Sequence, residues 1–184
     1  MGVMTRPHTI RRTCLHIGLS ALIAISGAAM VIPAEAAANA PRLEGRHADW
    51  IVYTRGSGQA KTCYVVSEAT TKSPGTANHG NIFFLVSNWA NGAATEQPSL
   101  MTGFPLKPAR APKARVGSTA ITMYGADNEA FIAETADERR LVASMRKGAN
   151  MTVEAVSARG TDVSYNFSLK GVTAALRQAG ALCR

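Results

Sequence analysis

Between Val163 and Leu169 apolar and polar residues alternate without a break: Val163, Tyr165, Phe167 and Leu169 against Ser164, Asn166 and Ser168. A period of two puts the first set on one face of an extended chain and the second on the other. Such a segment is a half-buried strand, and it needs sheet partners and a second layer over its apolar face. Upstream, Met151–Val156 reads as another strand, and Ala158-Arg159-Gly160-Thr161-Asp162 is the tight turn between the two.

The rest of the chain repeats this grammar. Asp49–Tyr53 and Cys63–Glu68 read as strands joined by the turn segment Arg55-Gly56-Ser57-Gly58-Gln59, a hairpin. After a loop over 70–80, Ile82–Val86 is a short aromatic and aliphatic run with no alternation, which predicts a strand buried on both faces. Strands are expected over Ser99–Pro105, Ala120–Tyr124 and, briefly, Phe131–Glu134. Leu106–Arg115 holds Pro108, Pro112 and four bases, so it reads as an exposed loop or edge. Two helices are expected late in the chain. The first covers 135–147, with a capping box of Thr135 and Glu138 and with Leu141, Val142 and Met145 inward. The second runs over 172–182 with an apolar stripe at 172, 175, 176 and 179. Trp50 and Trp89 read as core, since both lie on apolar strands. The pattern predicts a mainly β domain: an antiparallel, β-sandwich-like fold with two helices in the C-terminal half, covering one edge or end.

The N-terminus follows a different rule. Arg6, His8, Arg11 and Arg12 precede an uncharged apolar or small-residue run, Leu15–Ile32, which Pro33 ends. Ala34-Glu35-Ala36 fits the small-x-small cleavage pattern. Residues 1–36 therefore read as a secretory signal peptide, 37–48 as a flexible lead-in and 49–184 as one domain. The alternatives are a retained anchor, near the ~18-residue lower limit for a span, and export by the twin-arginine route through Arg11-Arg12. After cleavage no transmembrane span is expected, and the protein would be periplasmic or secreted.

Export bears on the cysteines. Cys14 leaves with the signal, and Cys63 and Cys183 remain. In an oxidising compartment they are expected to form a disulfide, the alternative being two free thiols. Residues 37–184 hold 17 Lys and Arg against 11 Asp and Glu, a formal charge of +6. This balance suits anionic partners such as glycans or lipid headgroups, and equally suits plain solubility. The densest basic cluster is Lys107, Arg110, Lys113 and Arg115. It reads either as a contact for an anionic surface or as a solvated loop guarded by Lys and Pro. Arg159 reads either as the residue that holds its turn by hydrogen bonding or as a ligand contact. Export and the lack of aromatic residues within the basic run argue against nucleic acid.

Chemistry is sparse. His47 and His79 lie in polar segments outside any metal-ligand spacing, so no metal or cofactor is expected. Gly56-Ser57-Gly58 lacks the form of a nucleophile elbow. The acids Asp127, Glu129, Glu134, Asp137 and Glu138 cluster in sequence, and paired carboxylates there are the one route to a hydrolase. Helix capping accounts for the last two.

Five segments carry a resemblance by their order and spacing: DWIVYTRGSGQAKTCY at 49–64, IFFLVSNW at 82–89, GFPLK at 103–107, RRLVASMRKGANMTVEAVSARGT at 139–161 and YNFSLKGVTAALRQAGALC at 165–183. Together they make the chain similar to the invasion-associated locus B family of bacterial envelope proteins. The resemblance implies a periplasmic or surface-associated β-rich protein without an established enzymatic activity, and it carries a link to host-cell invasion. Some members of that family have further cysteines around the first strand and before the first helix. Tyr53 and the 124–131 segment lack them here, which leaves one disulfide at most. The expected function is that of an exported, non-enzymatic envelope protein that binds an envelope or host protein or an anionic surface component. The alternative is a periplasmic hydrolase working through Asp127, Glu129 and Glu134.

Overall fold

The computed structural model describes residues 39–184. The signal segment and the first two residues of the lead-in lie outside them. Within the described residues the chain makes two antiparallel sheets and two helices.

The seven-stranded sheet collects β1 (Arg42–His47), β2 (Trp50–Arg55), β3 (Thr62–Glu68), β5 (Phe83–Trp89), β6 (Gln97–Met101), β9 (Tyr124–Ala126) and β10 (Glu129–Phe131). Their order is β1-β2-β3-β5-β6-β10-β9. The five-stranded sheet collects β4 (Thr71–Ser73), β7 (Lys113–Val116), β8 (Thr119–Thr122), β11 (Asn150–Val156) and β12 (Asp162–Ser168), in the order β4-β12-β11-β7-β8. Every pairing is antiparallel. The expected sandwich is therefore the observed one. Helix α1 (Thr135–Met145) packs against β6, β7 and β8, and helix α2 (Val172–Leu182) against β1, β2, β3 and β5.

Inward residues from both sheets share one core. Trp50, Phe84, Leu100, Met151, Tyr165 and Phe167 are all fully buried. The Phe84 and Phe167 rings, one from each sheet, lie 5.7 Å apart. Each such side chain contributes roughly 1.5–3 kcal/mol by leaving water. The Trp50 indole N–H donates to the Ser168 carbonyl at 2.9 Å, so a buried polar group joins the two layers. The α2 stripe of Val172, Ala175, Leu176 and Ala179 is buried as its spacing predicts. Cys63 on β3 and Cys183 after α2 form a disulfide, with Cα atoms 5.8 Å apart. It closes the helix onto the seven-stranded sheet.

Several expectations are corrected. The lead-in contains β1, which pairs with β2 through a bulge between Leu43 and Gly45. The end of the basic loop is β7, an interior strand between β11 and β8, with Ala114 and Val116 inward. The two prolines masked a short Lys-Ala-Arg-Val alternation. β6 begins at Gln97, because Pro98 is tolerated where β10 pairs only with Ser99–Met101. Ala120–Tyr124 is two strands, not one: β8 belongs to one sheet and β9 to the other. Met123 sits buried at the corner, its N–H donating to the Pro112 carbonyl at 2.8 Å. Inward alternation at Ile121 and Met123 continues through the corner, so the period could not show it. Thr135 is the first helical residue rather than the cap, and Glu134 stands at the N-cap without a side-chain bond. Glu138 turns inward instead of reaching back.

Candidate functional site

The two outward faces of the sandwich differ in kind. On the five-stranded sheet the outward residues are Thr71, Ser73, Lys113, Arg115, Thr152, Glu154, Ser164 and Asn166. Three of them bond to one another. Thr152 Oγ1 donates to Asn166 Oδ1 at 2.7 Å, and Asn166 Nδ2 donates to Thr71 Oγ1 at 2.9 Å, a ladder across three strands.

The outward face of the seven-stranded sheet is aromatic and aliphatic. Register places Ile51, Val66, Leu85, Ser99, Phe131 and Tyr124 in one row across six strands. The neighbouring row holds Leu43, Tyr53, Tyr64, Ser87 and Gln97. Phe83 and Met101 pair on one side of these rows, and Trp89 lies on the other. Leu43 and Tyr124, on the two edge strands of this sheet, are each 50% exposed. Tyr53 and Tyr64 stack with centroids 5.7 Å apart. Burial pushes the Tyr64 phenol above its ordinary range, Tyr53 adds to the shift, and Arg55 opposes it. A depression of about 490 Å³ runs over the middle of this face, lined by Tyr64, Leu85, Trp89, Met101 and Phe131, with Glu129 at its rim. Two readings change here. Ile82–Val86 is not covered on both faces, since only Ile82, Phe84 and Val86 point into the core. Trp89 is half-buried on the outer surface rather than in the core.

The predicted basic residues come together only in part. Arg110 and Lys113 line a depression of about 580 Å³ on the five-stranded side. Glu154 and Asp162 line it too, and Arg110 lies 3.8 Å from the Asp162 carboxylate. Arg115 is two residues along β7 on the same outward face, paired in register with Thr152. Lys107 is fixed by its own N–H, which donates to the Val156 carbonyl at 2.8 Å. The group is a mixed-charge surface rather than an unbroken cationic one.

Arg159 lies in the β11–β12 turn, and other groups hold that turn. The Ser157 N–H donates to the Thr161 carbonyl, the Gly160 N–H to the Ser157 carbonyl, and the Thr161 N–H to Ser157 Oγ at 3.1 Å. The Ala158 N–H ties the turn to the Pro105 carbonyl. Among the described residues the Arg159 guanidinium has no hydrogen-bond or ion-pair partner, so its turn-holding role falls to Ser157. Arg159 lines a depression of about 610 Å³ together with His79, Phe104, Pro105 and Val163. His79, expected in a polar loop, is buried. Its Nε2–H donates to the Pro74 carbonyl at 2.9 Å, which leaves Nδ1 to accept from the Tyr165 hydroxyl at 3.0 Å. No pattern in the sequence marks this burial. Desolvation also raises the Tyr165 phenol above its ordinary range.

The acids do not gather. Asp127 is exposed in the β9–β10 turn, Glu134 is exposed at the start of α1, and Glu129 lies on the outer face of the seven-stranded sheet. This arrangement gives the hydrolase alternative no support. Among the described residues no three His, Cys, Asp or Glu side chains are placed to hold a metal, and no helix is long and apolar enough to cross a membrane.

Fold and surface define a disulfide-closed, two-sheet β-sandwich with one polar and one aromatic outer face. The family model described as Invasion associated locus B (IalB) protein matches residues 50–180. The chain belongs to that family, as its segments imply. No curated protein and no solved structure matches it.

Proposed function

We propose that this is an exported, non-enzymatic envelope protein that acts by binding, and that its partner is a protein received on the outer face of the seven-stranded sheet. The observation that carries the reading is the asymmetry of the two outer faces. One sandwich carries a hydrogen-bonded Thr and Asn ladder among polar and charged residues on one face and half-buried Tyr, Phe, Trp, Leu and Met side chains on the other. Contiguous apolar surface of this sort marks interaction sites, and its ring-rich centre with a polar rim has the composition of an interface core. Aliphatic Ile51, Val66 and Leu85 among the rings favour a polypeptide, which covers such groups dry, over a hydrated polymer. Export is supported by the signal-like N-terminal sequence, by the disulfide and by the family. Invasion, in the family's name, supplies a setting and not a mechanism, since the same face would serve an envelope or a host partner.

Photo-crosslinking residues placed at Tyr64 or Leu85, and at Thr152 or Asn166 as controls, test this in intact cells. The first pair is expected to capture one discrete protein and the second pair none. Equal labelling from both faces, or no capture from Tyr64 and Leu85, would overturn the binding face. Recovery of the chain in the cytoplasmic fraction would overturn export.

A further inference from the structure

The depression under Arg159 is separate from the aromatic face and has a chemistry of its own. Its floor is apolar: Phe104 packs against the core from a half-buried position, and Pro105 and Val163 adjoin it. One wall is the His79 ring, which its bonds to Pro74 and Tyr165 hold in place. At the rim stands the Arg159 guanidinium, displayed on a turn that needs nothing from it. The backbone bonds of Ser157, Ala158 and Gly160 and the Ser157 hydroxyl already fix the turn, so the rigidity is available for presenting a side chain. Arg110 belongs to a different depression, where it faces the Asp162 carboxylate, and Arg159 is the base that lines this one. A guanidinium presents a planar fork of donors that matches an oxyanion. The volume of about 610 Å³ falls in the range that holds small organic ligands.

We infer that this depression binds a small amphiphilic oxyanion. Its carboxylate or phosphate head pairs with Arg159, and its apolar body lies on Phe104, Pro105 and Val163. The site departs from the sequence expectation of an anionic surface spread over Lys107–Arg115. It needs one cation and a greasy floor, not a charge field, so it discriminates against bare anions and against highly charged polymers alike. A free metabolite and a lipid head in a bilayer present the same chemistry.

Hexyl phosphate is the direct probe, titrated into the isotope-labelled protein and followed by amide chemical shifts. Saturable shifts are expected at Phe104 and Ser157–Thr161, with inorganic phosphate at least tenfold weaker. Arg159→Gln should weaken hexyl phosphate at least tenfold while leaving the rest of the spectrum in place. Phe104→Ala should reduce hexyl phosphate to the level of inorganic phosphate. Arg115→Gln, on the outer face of β7, should change nothing. Hexyl phosphate binding equally well to Arg159→Gln, or no saturable shift in the unaltered protein, would overturn the inference. Vesicles containing phosphatidylglycerol decide the source: flotation with them that Arg159→Gln abolishes identifies a lipid ligand, and its absence alongside hexyl phosphate binding identifies a free one.

Discussion

Reducing the Cys63–Cys183 bond should leave the domain folded but much easier to unfold. The bond joins residues 120 apart in sequence. In the chain-entropy treatment a loop of that length restricts the unfolded ensemble by about 5 kcal/mol, and measured losses on removing native disulfides run to roughly 2–5 kcal/mol. A domain of this size has about 5–15 kcal/mol in total. The cost should fall on the unfolded state, because α2 has other holds on the sheet. Val172, Ala175, Leu176 and Ala179 stay buried without the sulfur link, and Lys61 Nζ donates to the Leu182 carbonyl at 2.7 Å. The assay is urea unfolding of the oxidised protein and of the same protein kept in reductant, followed by far-ultraviolet circular dichroism. With a slope of about 1.5–2 kcal/mol/M, a loss of about 3 kcal/mol lowers the midpoint by about 1.5–2 M. Hydrogen exchange on the reduced protein should show new fraying confined to the last turn of α2. A midpoint unmoved by reduction, or loss of protection along the whole of α2, would refute this account of how the bond acts.

Two further outcomes follow from individual residues. Burial raises the Glu138 carboxyl above its ordinary value, against smaller opposing effects of a hydrogen bond with Gln97 and of the Arg139 charge. A raised folded-state value means that the group favours the fold below its unfolded pKa, and that this support is lost as the pH rises through the folded one. Glu138→Gln should therefore raise the melting temperature at pH 7, with the gain shrinking to nothing as the pH falls below about 4.3; a gain independent of pH would contradict the assignment. Gly160 and Gly171 both have positive φ, +88° and +91°, but a Cβ on Gly160 meets open space, whereas one on Gly171 would lie 2.0 Å from the His47 carbonyl oxygen. Gly160→Ala should cost about 1–2 kcal/mol in denaturant unfolding and Gly171→Ala distinctly more, so equal losses would show that the close approach yields cheaply.

Periodicity made most of the elements legible, because periodicity is what a one-sided environment imprints. The stripe of α2 and the alternation of β12 were read residue for residue from their spacing. What the period does not encode is which sheet a strand joins, and so the corner at Met123 stayed hidden. It also does not say what lies on the second side of an apolar strand. Phe83 and Leu85 look the same in sequence whether a second core layer or only solvent lies outside them, and for that reason the run Ile82–Val86 reads as buried on both faces. The turn of Arg159 shows a related ambiguity. The sequence allows Arg159 either to hold its turn or to meet a ligand, and only the Ser157 Oγ bond to the Thr161 N–H shows that the turn is held without it.

The positions of β12 and α2 bear on when this chain can fold during synthesis. β12 is wedged between β4 and β11, and Trp50, near the start of the described chain, takes its hydrogen-bond acceptor from Ser168. α2 is the cover over β1, β2 and β3. A polypeptide emerging N-terminus first from a ribosome, or threading through a pore, thus presents its earliest strands long before their cover exists. Antiparallel pairing of β1, β2 and β3 alone leaves Trp50, Val52, Cys63 and Val65 without the layer that buries them in the folded domain. The sandwich therefore closes only once β12 and α2, the last elements of the described chain, can pair and cover.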